Sequence, residues 1–223
     1  MLRAHMVGRQ LRDRGIGNQA VLEVMGEMPR ERFVPPEHVD LAYGDGALPI
    51  PWGQSISQPY MVALMTALLE PRPGMLVLEI GTGTGYQAAV LARLGCRVIS
   101  VERHPALAGA ARERLAELGL GDTVRIEVGD GSLGRPEDAP FDGIVVTAAA
   151  PRVPPALVAQ LADGGRLVVP VGPERRQELR LVVRSGDAVA ESRHGSCVFV
   201  PLIGAGGFAE RHGPGGRFRR RHV

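Results

Sequence analysis

Four residues in one short stretch carry the first chemical signal. Glu79 is followed by Gly81, Gly83 and Gly85 at every second position, at the end of the apolar run 75–80. Glycines so spaced let the main chain turn tightly and bring a ligand against the backbone. A dinucleotide site would read G-x-G-x-x-G/A, with its third small residue at position 86. That position is Tyr86, so a nicotinamide or flavin is not expected. Two more acids end later apolar runs. Glu102 is placed to accept from both hydroxyls of a ribose. Asp130, between Gly129 and Gly131, is placed to read an adenine amino group and ring nitrogen. On local grounds alone, a solvated acid before a helix and a plain Asp-Gly turn explain these two equally well.

The pattern Glu79-x-Gly81-x-Gly83-x-Gly85 resembles the first motif of Rossmann-like methyltransferases, whose acid lies near the cationic methionine end of S-adenosyl-L-methionine. The plain alternative is a Gly-rich strand-to-helix turn. What accepts the methyl group is constrained by the fourth run, 141–147, which ends in Thr147-Ala148-Ala149-Ala150-Pro151. These residues are small and uncharged, and the Asn/Asp-Pro-Pro-aromatic motif of many amine methyltransferases is missing. The histidines at 5, 38, 194, 212 and 222 lie away from the strand ends, and only His104 comes near. A hydroxyl or amine acceptor would want a base there. A carboxylate would not: with an ordinary pKa of about 4 it is already ionised at neutral pH. It needs orientation and partial desolvation, which hydroxyls and backbone amides provide.

These residues must be placed by regular elements, and the apolar spacing supplies them. From residue 75 onward strands alternate with helices: strands at 75–80, 97–101, 123–128, 141–147 and 166–171, helices at 87–94, 105–118 and 154–161. Such alternation implies a parallel sheet with right-handed crossovers, and ligands bind beyond the carboxyl ends of its strands. Strands at 178–184 and 196–202 have no helix between them, which predicts an antiparallel ending. Upstream, 2–14 and a segment capped by Asn18 read as two helices. Residues 30–58 are rich in Pro and Gly yet carry Phe33, Tyr43, Ile50, the single Trp52 and Ile56. They read as an ordered loop packed over the site. A helix follows from Pro59. The expected class is α/β: a Rossmann-like, mostly parallel twisted sheet flanked by helices, with an N-terminal helical extension and antiparallel C-terminal strands.

Bulk properties exclude several classes. The chain has 223 residues, 44% of them hydrophobic, enough for one sizeable core. Its 26 basic residues, all arginine, against 24 acids leave a formal charge of +2, too little for general polyanion affinity. Cys96 and Cys197 form no metal or redox spacing and suit buried thiols in a reducing cytosol. Arginines interrupt the N-terminal stretch, so no signal peptide is expected, and no apolar run approaches spanning length. Residues 209–223 carry Arg211, Arg217, Arg219, Arg220 and Arg221 among glycines. They are expected to be a flexible tail; a nucleic-acid arm is the sharper alternative, for which five arginines are weak evidence.

One segment extends the argument from cofactor to reaction. Gly53-Gln54-Ser55-Ile56-Ser57-Gln58-Pro59-Tyr60-Met61-Val62-Ala63 resembles the pre-motif segment of protein-L-isoaspartate (D-aspartate) O-methyltransferases. The resemblance continues in Pro29-Arg30-Glu31-Arg32-Phe33-Val34-Pro35, Leu48-Pro49-Ile50, Gly129-Asp130-Gly131-Ser132, Thr147-Ala148-Ala149, Pro170-Val171-Gly172 and Phe199-Val200-Pro201-Leu202. It covers residues 6–208. It implies a class I methyltransferase domain over 1–208, comprising N-terminal helices and substrate loop (1–74), cofactor core (75–171) and C-terminal strands (172–208). It implies methylation of the free carboxylate of L-isoaspartyl residues in damaged proteins, with S-adenosyl-L-methionine as donor and S-adenosyl-L-homocysteine as product. The ester then closes to a succinimide.

By position, Ser57 matches the family's active-site serine, contacting the substrate carboxylate. Gln54, Ser55 and Ile56 match the segment lining cofactor and substrate. Glu79, Gly81, Thr82, Gly83, Gly85, Glu102, Asp130 and Gly131 match the cofactor pocket, and Val200 and Pro201 lie in the strand bordering the peptide. Read without the family, Ser57 would serve as well as a helix N-cap, two residues before Pro59. One departure is Gly207-Phe208, where many bacterial relatives have Gly-Trp. The expected partners are isoaspartyl-containing proteins and peptides, met by a cytoplasmic monomer without membrane, metal or nucleic acid. The alternatives are a methyltransferase for a small-molecule acceptor, and a non-catalytic S-adenosylmethionine-binding or RNA-associated protein.

Overall fold

The computed structural model of the chain describes residues 2–210. Beyond Glu210, the arginine-rich tail lies outside the described residues. The chain opens with α1 (Leu2–His5), a wider π turn (Met6–Leu11) and a 3-10 turn (Arg12–Arg14). These bury Met6 and Leu11 and stop at Gly15, φ 93°. Helix α2 (Gln19–Glu27) begins as expected: the Asn18 side chain accepts a hydrogen bond from the Val21 amide. Val21, Leu22 and Met25 form its buried face.

The Pro/Gly-rich segment is more regular than its composition implies. It holds 3-10 turns at Arg30–Phe33 and Pro36–Leu41 and a two-stranded hairpin, β1 (Leu48–Ile50) with β2 (Gln54–Ile56). Strands of three residues with a proline in one give no readable alternation. Helix α3 (Pro59–Leu69) follows.

The core then runs β3 (Leu76–Ile80), α4 (Tyr86–Arg93), β4 (Arg97–Glu102), α5 (Pro105–Glu117), β5 (Val124–Val128), β6 (Phe141–Val146), α6 (Pro155–Ala159), β7 (Leu161–Val171), β8 (Gln177–Ser185) and β9 (Ala188–Cys197). The sheet order is β5-β4-β3-β6-β7-β8-β9. Strands β3 to β7 pair in parallel, while β8 and β9 are antiparallel additions. The chain winds outward from β3 to β5, then returns to β6 on the other side of β3, which makes the carboxyl ends of β3 and β6 the switch point. Strand β3 is buried on both faces: Val77 and Glu79 point to one side, Leu78 and Ile80 to the other. Both cysteines are buried and unpaired.

Two boundaries differ from the sequence reading. The helix expected over 154–161 is shorter, because Leu161 already pairs with Phe141 and starts β7. The final strand lies not at 196–202 but at β9, ten residues of which nearly all are exposed. Its sequence, AVAESRHGSC, has no apolar face because the sheet ends there. Residues 198–202 instead run along the loop after β6, with an isolated bridge between Ala149 and Pro201.

Candidate functional site

The parallel register brings the site's acids together. Glu79 of β3 lies beside Ser100 of β4, and the Ser100 hydroxyl donates to Glu79 Oε2 in a very short hydrogen bond. Thr82 Oγ1 stands 2.5 Å from the same hydroxyl. Glu79 is fully buried, and its Oε1 has no hydrogen-bond partner. Burial, the largest influence, pushes its pKa up to about 8. The Ser100 hydrogen bond opposes this, the charge of Glu102 adds to it, and the Ala88 amide opposes it weakly. At neutral pH Glu79 is therefore largely protonated, and a cation brought beside Oε1 would draw the proton off.

The glycine loop leaves β3 with positive φ at Gly81, Gly83 and Gly85: 97°, 53° and 89°. Gly81 has a second constraint, since a Cβ there would collide with Thr147 Oγ1. Thr147 ends β6 and donates to Gly81 O at 2.6 Å, with Ile80 O at 3.0 Å. It closes the switch point from the other strand. Glu102 ties the loop to the β4 exit: Oε2 accepts the Gly83 amide and Oε1 the His104 amide, both at 2.9 Å. One lone pair on each oxygen is left for ribose hydroxyls.

Asp130 is committed more heavily inside the protein. Its Oδ1 accepts from the Ser132 amide at 2.9 Å and hydroxyl at 2.6 Å, and Oδ2 accepts the Ala205 amide at 2.7 Å. Burial is the largest influence on this carboxyl and would raise its pKa. The hydrogen bonds from Ser132 and Ala205, with the Arg103 charge, outweigh it and hold the pKa below the usual range. The residue thus latches the C-terminal segment beside a cleft of about 660 Å³ lined by Arg103, Gly129, Asp130 and parts of the segment from Ile203 to Glu210. Gly131 packs so closely that a Cβ would come within 2.6 Å of Ile80 Cγ2.

The hairpin forms the opposite wall. Ile50 approaches the glycine loop at Gly83. Trp52, itself left-handed at φ 65° and 61% exposed, stacks on His104 with centroids 5.7 Å apart and planes 17° apart. Gln54 Nε2 donates to Trp52 O at 3.2 Å. Ser55, Ile56 and Ser57 face a narrow inner cleft together with Gly81, Thr82, Gly83, Tyr86, Gln87 and Thr147. Ser55 and Ser57 also border an outer groove of about 290 Å³, whose far side is Cys197, Val198 and Phe199. Val200 and Pro201 continue the same segment but hold it to the core: Ala149 N donates to Val200 O and Leu202 N to Ala149 O, both at 2.8 Å.

Ser57 is not a helix cap. The N-cap position of α3 is Gln58, which makes no side-chain cap bond. Among the described residues no hydrogen bond engages the Ser57 hydroxyl, while its carbonyl accepts from Arg30 Nη2 at 2.7 Å. The hydroxyl therefore stands between two clefts with both its donor and acceptor capacity unspent.

The inner cleft, about 30 Å³ in volume, offers polar partners suited to the methionine end of S-adenosylmethionine. Two buried polar atoms of its lining residues lack hydrogen-bond partners, Tyr86 OH and Gln87 Oε1, as does Glu79 Oε1, which is joined to Thr82 of the lining through Ser100. Such atoms are costly unless a ligand meets them. A loop that admits no Cβ at Gly81 and an acid at the β4 exit complete a cradle for the methionine and ribose portions. Sequence reasoning named Glu79, Glu102 and the glycines but passed over Arg30, Trp52, Tyr86 and Gln87. Tyr86 had counted only against a dinucleotide.

Comparison with known proteins agrees with this geometry. A family model described as protein-L-isoaspartate(D-aspartate) O-methyltransferase matches residues 3–206. A protein-L-isoaspartate O-methyltransferase of Methylorubrum populi is 56% identical over 202 residues, covering 90% of this chain and 94% of the relative. One from Methanopyrus kandleri is 52% identical over 199 residues, covering 87% and 88%. Among solved structures, a protein-L-isoaspartate O-methyltransferase superimposes with a TM-score of 0.81 at 31% identity, over 92% of this chain and 67% of that one. A putative protein-L-isoaspartate O-methyltransferase of Plasmodium falciparum, in complex with S-adenosyl-L-homocysteine, gives a TM-score of 0.77 at 25% identity over 90% and 98%.

Proposed function

Since the chain belongs to the protein-L-isoaspartate(D-aspartate) O-methyltransferase family, we propose that its two clefts meet at Ser57 to methylate the free carboxylate of L-isoaspartyl residues in damaged proteins. S-adenosyl-L-methionine, when bound, supplies an electrophilic methyl group on a sulfonium. The remaining chemistry belongs to the chain. Glu79, Thr82, Tyr86 and Gln87 receive the methionine end in the inner cleft, and the backbone at Gly81, Gly83 and Gly85 gives it room. Glu102 takes the ribose hydroxyls. The glycine-flanked backbone at Asp130 and Gly131 borders the adenine end, with the Asp130 carboxylate holding the segment that closes it. Gln54, Ser55 and Ile56 form the hairpin wall between cofactor and substrate.

The acceptor enters by the outer groove, along the extended segment that includes Val200 and Pro201. Its carboxylate is ionised at neutral pH, so no base is required. Ser57 donates its hydroxyl to one carboxylate oxygen and leaves the other directed at the inner cleft. Orientation at this boundary, rather than proton transfer, is the chain's contribution to rate. In the methyl ester formed, the neighbouring backbone amide nitrogen attacks the ester carbonyl, the C–OCH3 bond breaks and methanol leaves, which yields the succinimide that begins repair.

The observation that carries this reading is the uncommitted Ser57 hydroxyl standing between the two clefts. On the same reading residues 1–208 act as one methyltransferase domain, working as a cytoplasmic monomer on isoaspartyl-containing proteins and peptides, without nucleic acid. Among the described residues no helix is long and apolar enough to cross a membrane. The test is transfer of labelled methyl from S-adenosylmethionine to an isoaspartyl peptide and to its aspartyl twin. Incorporation into the first alone is expected; equal labelling, or none, overturns the proposal.

A further inference from the structure

One buried charge has no part in the chemistry above. Arg30 is 0% exposed. Its Nε donates to Ala42 O at 2.8 Å and its Nη2 to Ser57 O at 2.7 Å. The guanidinium lies over the Tyr86 ring, 4.6 Å from the centroid. Nη1 and the Tyr86 hydroxyl make no hydrogen bond of ordinary geometry, although the two side chains interact with each other. Buried guanidinium groups are ordinarily matched by a carboxylate, because an unmatched one forfeits its hydration. Even arginines of this chain that keep part of their hydration meet carboxylates: Arg14 meets Asp45, Arg166 meets Glu70 and Arg3 meets Glu31. Glu31 is the residue next to Arg30, yet it turns away to Arg3 and Tyr43. The ionisable groups that face Arg30 are the phenols of Tyr86 and Tyr43.

We propose that Arg30 is a positioning residue of the methyl-transfer site: it fixes the Ser57 carbonyl, and its charge, unmatched by any carboxylate of the protein, favours an anionic acceptor held at Ser57 where the outer groove ends. This rests on the functional reading above. The guanidinium holds its proton throughout the neutral range, so the bias is permanent. It acts through a short relay. Tyr86 and Ser57 both line the inner cleft, and both are held from behind by the same planar group. A carboxylate arriving at Ser57 from the outer groove meets a positive charge already desolvated, whereas a neutral amide of the same shape gains nothing from it. The fork geometry matters separately, because two carbonyls, at Ala42 and Ser57, are held at once. A lysine would keep the charge without spanning both.

The experiment compares Arg30→Met and Arg30→Lys with the wild type. It uses an isoaspartyl peptide as substrate and the neutral isoasparaginyl peptide as competitive inhibitor. For Arg30→Met the expected result is a KM for the isoaspartyl peptide raised at least about tenfold. Affinity for S-adenosylhomocysteine should stay within about twofold, and the preference for the charged over the neutral peptide should collapse. Arg30→Lys should recover most of the KM and the charge preference while kcat remains low. An Arg30→Met protein with wild-type KM and preference overturns the inference. So does a loss of peptide affinity matched by an equal loss of S-adenosylhomocysteine affinity, which marks a merely structural staple. If Arg30→Met does not fold, Arg30→Lys decides alone, and a wild-type kcat overturns the positioning role. A wild type inactive on isoaspartyl peptide removes the functional reading and this inference with it. An active wild type with an indifferent Arg30→Met removes the inference alone.

Discussion

The two walls of the site are built by different means. The wall toward the sheet is made of strand ends whose positions are dictated by parallel register and whose glycines leave no room for side chains. The wall toward the N-terminal third is a hairpin of two three-residue strands, a pair of serines and a buried arginine, held in part by contacts between residues far apart in sequence. On the proposed function the first wall binds what every methyl transfer of this kind requires, and the second chooses the acceptor. Changes in one should move cofactor affinity, and changes in the other should move turnover and peptide recognition.

Ser57→Ala is the sharpest test of that division. Loss of one donor at the reacting carboxylate should lower kcat by about 100-fold. S-adenosylhomocysteine affinity, measured by calorimetry, should stay within about twofold. A parallel fall in both would erase the distinction between the walls. Gly81→Ala probes the other side. With φ at 97° and Thr147 Oγ1 in the path of a Cβ, the variant must shift the loop, and cofactor affinity should weaken by about 30-fold. Restored affinity in a Gly81→Ala, Thr147→Ala double variant would assign the effect to that contact.

A smaller effect should appear in stability. Folding raises the pKa of Glu79 from 4.5 to about 8, so the folded chain binds this proton more tightly than the unfolded one. The contribution is complete below 4.5 and is lost as pH rises through about 8. The melting temperature of the cofactor-free protein should therefore decline across that window, and Glu79→Gln should flatten the decline by at least about 4 °C. Identical slopes in both proteins would mean that Glu79 stays charged. The smallest expected effect is at Trp52→Ala. Removal of the stack on His104 should weaken cofactor binding by about fivefold. In the wild type the emission of this single tryptophan should change on addition of S-adenosylhomocysteine. An unresponsive tryptophan would detach the hairpin tip from the cofactor side.

The same division explains what could be read from sequence. The sheet wall was legible because its strands are continuous apolar runs ending in acids and glycines, and such runs announce both burial and direction. The hairpin was not, since β1 and β2 are too short for periodicity and Trp52 occupies a left-handed conformation that nothing in its neighbours foretells. The order of Arg30 was equally hidden, because burial of an arginine depends on Ala42, Ser57 and Tyr86 meeting around it. Asp130 was identified as a site residue, but its grip on Ala205, 75 positions away, has no local signature. The last strand was misplaced for the opposite reason. Residues 198–202 are apolar enough to resemble a strand, whereas β9, exposed on the sheet's edge, has the composition of a loop.

That edge has a consequence for how the molecule meets its clients. A long open strand offers a row of unpaired amides and carbonyls to any extended polypeptide, and damaged proteins present such segments. Along β9 the side chains discourage it. Arg180 of β8 bonds Glu191 of β9 at 2.5 Å, and Arg193 of β9 reaches back to Glu178 at 3.4 Å. A newcomer laid alongside would have to desolvate these charges without replacing their partners. Indiscriminate annealing to the sheet margin is thereby made costly, which on the proposed function leaves the groove beside Ser57 to sort client chains by fit.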